Sequence, residues 1–145
     1  STIRGFEGGA SFDIGDTITV DAVLNYTWAE QRVAGSPAEP GDRIPPLSGR
    51  LNVSYDAGGN LRMDAWLRFA GEQDRLSARD GRDIRIDPNG TSGWGVMGAR
   101  GSWDFGGGWN FMAGIDNVFD KRYRVHGSGL DAAGRNLMVS LRKTW

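Results

Sequence analysis

The chain has 145 residues, a formal net charge of −1, no cysteine and one histidine. Near-neutral charge gives no electrostatic footprint for a nucleic-acid partner, and without cysteine there is neither a disulfide nor a thiolate metal site. No apolar run reaches the length of a transmembrane helix and none near the start has the form of a signal peptide, but a membrane β-barrel stays open, because its strands need only ~9–11 alternating residues each.

In chain order, Ile3 to Phe12 reads as a first strand, with Phe6, Gly8, Ala10 and Phe12 on one face and Arg4 and Glu7 marking a less regular polar side. After a short turn (Asp13 to Thr17), Ile18 to Trp28 alternates strictly: Ile18, Val20, Ala22, Leu24, Tyr26 and Trp28 against Thr19, Asp21, Val23, Asn25 and Thr27. That period of two predicts a sheet with one apolar and one polar face. Ala29 to Pro46 is a polar connection broken by Pro and Gly. Leu47 to Tyr55 is the next strand, AGGN (Ala57 to Asn60) a tight hairpin, and Leu61 to Phe69 the return. Gly71 to Thr91 is a second long loop in which Arg75, Arg79, Arg82 and Arg85 alternate with Asp74, Asp80, Asp83 and Asp87; it reads as solvated and self-neutralising. Trp94 to Phe105 turns at Gly106 to Gly108 into a strand from Trp109 to Ile115. The closing strand places Leu137, Val139, Leu141 and Trp145 on one face.

About seven strands thus alternate short and long connections, the rule for outer-membrane barrels, with the short turns on one side of the membrane. Aromatic residues divide the same way: Phe12, Tyr55, Trp103, Phe105, Trp109 and Trp145 gather at the short-turn ends, and Tyr26, Trp28, Phe69, Trp94 and Phe119 near the long loops. Two such bands are the girdles of two membrane interfaces. Asp21, Arg50, Arg62, Asp64, Arg68, Arg100, Asp104, Asp116 and Arg142 fall on the inward face, where mutual pairing gives them a structural role.

The stretch NVFDKRYRVHGSG, followed by AGRN and a strand ending in Trp, resembles the C-terminus of a TonB-dependent outer-membrane receptor. Asn117, Val118, Phe119, Asp120, Lys121 and Tyr123 match the motif leading into the last extracellular loop. Gly134, Arg135 and Asn136 match the opening of the final strand, and Trp145 its terminal aromatic. Val118 departs from the usual Leu, and Lys143 stands where an apolar or aromatic residue is expected; its long stem suits snorkelling at the interface. The resemblance implies an all-β fold: residues 1–145 as an antiparallel transmembrane β-barrel segment, about seven strands of a 22-stranded barrel. The plug domain, the TonB-contacting segment and the signal peptide are expected upstream, since an odd strand count leaves an open edge.

The function implied is energised import of a scarce ligand such as an iron–siderophore, haem or cobalamin, in the outer membrane of a Gram-negative bacterium. Implied partners are outer-membrane lipid and lipopolysaccharide, the barrel-assembly machinery through the last strand, TonB through the missing region, and a small-molecule ligand. A porin or an autotransporter translocator is the competing membrane reading, and a soluble β-barrel carrier a third. No nucleophile–base pair or metal-ligand spacing is present, so neither an enzyme, a resident cofactor nor a metal site is expected. The candidate ligand contacts are His126, Arg124, Arg79 and Arg82. Imidazole can ligate haem iron or touch a metal chelate, and guanidinium forks suit anions. With no second His or Tyr beside it, His126 reads more simply as a polar loop residue. Asn117, Asp120, Arg135 and Asn136 suit pinning the last loop through side chain–backbone bonds.

Overall fold

The computed structural model describes residues 1–32 and 34–145; Val33, inside the first polar connection, lies outside the described residues. The strands are β1 (Thr2–Ile14), β2 (Ile18–Gln31), β3 (Glu39–Pro40), β4 (Ser48–Asp56), β5 (Leu61–Ala70), β6 (Trp94–Gly106), β7 (Trp109–Asp116) and β8 (Asn136–Lys143). All pairings are antiparallel, in the order β1-β2-β4-β5-β6-β7-β8, with β3 attached to β2. Seven strands form an up-and-down meander, as their alternation predicts. The eighth, β3, is a correction. A two-residue ladder has no periodicity to read, and it arises where Glu39 and Pro40 fold back onto Gln31 and Glu30.

The register carries the apolar residues across the sheet as rows on one face. Phe12, Val20, Val53, Ala65, Ala99, Ile115 and Leu137 are linked by successive cross-strand pairs. A one-residue slip anywhere would throw a strand's apolar set to the other face, so the agreement of six ladders is a strong constraint. This face is uncovered: Leu51, Val53, Met63, Met97, Trp103 and Val139 are all exposed. The accessible surface is 9806 Å², against roughly 7300 Å² for a compact monomer of this mass. Among the described residues the buried apolar side chains are Ala29, Ala70, Ile86 and Val96, all at the long-loop end. The sheet therefore has no core of its own. Its apolar face needs a covering medium.

The opposite face is polar and internally bonded. Asp64 accepts from Arg100 Nε (3.0 Å) and Ser54 Oγ (2.7 Å). Asp116 accepts from Arg68 Nη2 (3.1 Å) and Trp66 Nε1 (3.3 Å). Two residues depart from the sequence reading. Arg4 pairs with Trp28 on the apolar face, its guanidinium 5.9 Å from the indole centroid. Trp94 pairs with Ala70 on the polar face and packs at 4.5 Å on Tyr123, so it does not belong to the outer aromatic band.

The short connections are glycine turns. Gly58 (φ 81°) and Gly59 (φ 65°) make the β4–β5 turn, and Gly107 (φ 58°) and Gly108 (φ 77°) the β6–β7 turn, in left-handed conformations that side-chain-bearing residues resist. Phe105 forms a bulge where the β6–β7 register shifts between Asp104 and Gly106. There Lys143 stands opposite Trp109, its Nζ donating to the Gly107 carbonyl and lying near the Trp109 and Trp145 rings. Its ammonium is thus held at the turn end, while the stem lies along the apolar face.

Candidate functional site: the loop cap and the chamber beneath it

Among the described residues, the three long connections (34–47, 71–93 and 117–135) leave the same end of the meander and pack into a cap. The first two are fastened together. Asp80 is 1% exposed and opens a short 3-10 turn in the second loop, Asp80–Arg82. Its two carboxylate oxygens accept the Arg43 backbone N–H (3.0 and 3.1 Å), which a positive φ of 53° at Arg43 aims at them. Ser77 closes the turn, its hydroxyl accepting from the Asp80 N–H at 3.1 Å. Around this hub, Gln73 donates to the Ile44 carbonyl (2.8 Å), the Ala78 N–H to Glu39 (3.0 Å), and Arg43 pairs with Asp83 (2.8 Å). Buried Ile86 lies in the same loop. The second loop is self-neutralising as its composition predicts, but it is not simply solvated: folding buries one of its carboxylates as the organising acceptor.

Electrostatics follow from these contacts. Arg85, with Arg43 behind it, holds the Asp83 carboxyl far below the usual range, and Asp83 in turn raises Arg85. Hydrogen bonds from Ser77 and Gln31, then Arg79, lower Asp42.

The third loop is tied at its base. Asn117, buried and at φ 50°, donates through Nδ2 to the Lys121 and Ala133 carbonyls (2.8 and 3.2 Å) and accepts the Lys121 N–H at 2.9 Å. Asp120, at φ 54°, accepts the Arg135 N–H at 2.7 Å, and Arg135 Nε reaches the Val118 carbonyl at 3.0 Å. Asn and Asp are the residues that adopt this left-handed backbone at least cost. These motif positions therefore carry the geometry that turns β7 into the loop and returns it to β8. Tyr123 packs on Trp94, Gly134 passes close to the Asp120 carboxylate, Asn136 pairs with Asp116 at the start of β8, and Phe119 and Trp145 are exposed.

The tip of the third loop is held more lightly. Between the second and third loops, one side-chain hydrogen bond is made among the described residues, Thr91 Oγ1 to His126 Nδ1 at 2.9 Å. His126 Nε2 is closed off from solvent without a partner, as is Arg68 Nε below it. Each such group costs about 1–3 kcal/mol relative to a paired one. Burial pushes the His126 imidazole below its ordinary pKa, against the opposing pull of Asp80.

Of the four candidate ligand contacts, the structure separates two pairs. Arg79 pairs with Asp42 (3.4 Å) and Arg82 bonds the Ala78 carbonyl (3.0 Å), both in the junction between the first two loops. Arg124 pairs with Asp131 (2.9 Å) and borders a cavity of about 310 Å³ with Arg122, Asp87, Trp94 and Tyr123. His126 borders a second cavity, about 380 Å³, on the polar face of the sheet; Pro45, Pro46, Arg50, Arg68 and Trp94 also line it. Arg50 and Arg68 read from the sequence as lumen residues alone. Their place beneath the last loop depends on loop packing, which leaves no periodic signal.

A family model described as "TonB dependent receptor-like, beta-barrel" matches residues 1–118. No curated protein sequence matches the chain. Among solved structures, the copper transporter OprC aligns with a TM-score of 0.78 at 24% identity, over 96% of this chain and 23% of its own. The ferric enterobactin receptor PfeA from Pseudomonas aeruginosa aligns at 0.71 and 19% identity, over 96% and 22%. The siderophore receptor PiuA from Acinetobacter baumannii aligns at 0.66 and 17% identity, over 96% and 21%. The chain spans less than a quarter of each of these proteins. With the family model covering most of its length and its meander superposing on their barrels, the chain belongs to the TonB-dependent receptor-like β-barrel family.

Proposed function

We propose that these residues form part of the barrel wall and the loop cap of an outer-membrane importer driven by TonB, in a Gram-negative bacterium. The observation that carries this reading is the division of the sheet: an uninterrupted, uncovered apolar face and an ion-paired polar face, kept in register across seven strands. In a lipid setting the first faces acyl chains and the second a lumen. On this reading the remaining strands of a ~22-stranded barrel, the plug and the TonB contact lie outside these 145 residues, and β8, which follows the Gly134–Arg135–Asn136 motif, is the strand offered to the barrel-assembly machinery.

The cargo class we favour is a metal complex. The structural neighbours are named as a copper transporter, a siderophore receptor and a ferric enterobactin receptor, and the cap offers arginines and an imidazole around two cavities. The test is growth and radiolabelled-metal uptake, under iron or copper limitation, in cells carrying or lacking the full-length gene, each with and without TonB. The reading predicts uptake that requires both. Uptake unaffected by removing TonB contradicts it.

A further inference from the structure

Arg50 and Arg68 stand directly opposite each other in the β4–β5 ladder, on the polar face. Like charges in that position repel. One carboxylate offsets them: Asp116 accepts Arg68 Nη2 through both oxygens, at 3.2 and 3.1 Å. Arg50 has no carboxylate within 4.0 Å among the described residues, and its guanidinium lies 6.0 Å from the Trp66 ring. Two guanidinium groups and one carboxylate leave one positive charge in excess. Both arginines line the 380 Å³ chamber, whose remaining walls are largely apolar: Val23, Pro45, Pro46, Trp94 and Val125. A cavity of that size accommodates a small organic molecule.

We propose that the chamber binds a monocarboxylate with an apolar or aromatic body, its carboxylate between Arg50 and Arg68 and its body beneath the Val125–His126 tip of the third loop. The proposal rests on the reading that the cap faces an entering ligand. A single negative charge cancels the excess, and apolar walls favour a group that needs hydration on one end only. Among the described residues the Val125–His126 tip makes one side-chain hydrogen bond to the second loop, Thr91 Oγ1 to His126 Nδ1, and His126 Nε2 and Arg68 Nε, both on residues lining the chamber, have no partner.

The experiment is a calorimetric titration of the purified full-length protein in detergent with benzoate, with benzyl alcohol as its neutral counterpart and inorganic phosphate as a second anion. Benzoate is expected to bind saturably while benzyl alcohol and phosphate do not. Arg50→Gln weakens benzoate about tenfold, and Arg50→Lys, which keeps the charge, retains most of the affinity. Arg50 has no ion pair to break, and the Lys variant reports separately on folding. No saturable benzoate binding, equal binding of benzyl alcohol, or an Arg50→Gln protein that binds as wild type overturns the proposal. Phosphate binding as tightly as benzoate overturns the carboxylate assignment. TonB dependence of uptake is scored separately: benzoate binding with TonB-independent uptake removes the import reading and leaves the site, and the converse removes the site alone.

Discussion

Asp80 shows how one side chain organises a segment that composition describes only as charged. Replacing it with Ala strips the Arg43 and Ser77 backbone N–H groups of their carboxylate acceptor, at a cost of roughly 3 kcal/mol. The expected outcome is faster amide exchange over residues 41–46 and 77–83 with membrane insertion unchanged; exchange at the wild-type rate would show that the hub is dispensable. His126 has a different dependence. Its pKa is lowered in the docked tip and near 6.5 when the tip is free, so the undocked state binds more protons as pH falls below about 6.5. Docking is therefore strongest above that pH and weakens as pH drops towards the lowered value. Exchange protection of residues 125–130 should fall with it, and the fall should vanish in His126→Ala. On the sheet, Leu24→Arg places a charge on the apolar face, costing ~2–4 kcal/mol at a bilayer midplane, and should block assembly into the outer membrane. Arg62→Ala removes only an exposed pair with Asp56 and should be mild. Normal insertion of Leu24→Arg, read from membrane fractionation, would contradict the face assignment.

Elements were legible where a short-range period defines them. The seven long strands, their faces and the glycine turns follow from alternation and turn chemistry, because a side-chain period of two is written directly in the chain. β3, the 3-10 turn and the Phe105 bulge were not, since each is decided by partners distant in sequence or by one or two residues. Trp94 shows position and period disagreeing. Its place near a strand end suggests a girdle residue, but the period of two that puts Met97 and Ala99 on the apolar face puts Trp94 on the other, where it pairs with Ala70 and packs on Tyr123. The candidate site follows the same logic: the arginines and His126 could be named from sequence, but which of them share a cavity could not. At the β6–β7 turn, Gly108 combines a φ of 77° with a Cβ position that collides with the Thr144 carbonyl. Gly108→Ala should strain the hairpin that meets the last strand and lower the yield of folded barrel, measured by heat-modifiable migration. Wild-type yield would mean that the turn has slack the geometry does not show.

At the scale of the molecule, the excess of exposed apolar surface and the scarcity of buried side chains outside the cap describe a wall rather than a globule. β1 and β8 do not pair with one another, so the sheet has two free edges, and a lipid setting does not tolerate open edges. Closure through further strands, a lipid-facing outside and a lumen-facing inside are one claim. The most direct test is site-directed spin labelling of the full-length protein in outer-membrane vesicles. Single cysteines at Leu51, Val53, Ala65, Ala113 and Val139 are compared with cysteines at Asn52, Ser54, Ser102 and Ser140. Labels of the first set should collide with oxygen and be shielded from a water-soluble nickel chelate, and labels of the second set should show the reverse or contact protein. Equal accessibility of the two sets, or the opposite order, would contradict the assignment of this chain to a membrane barrel wall.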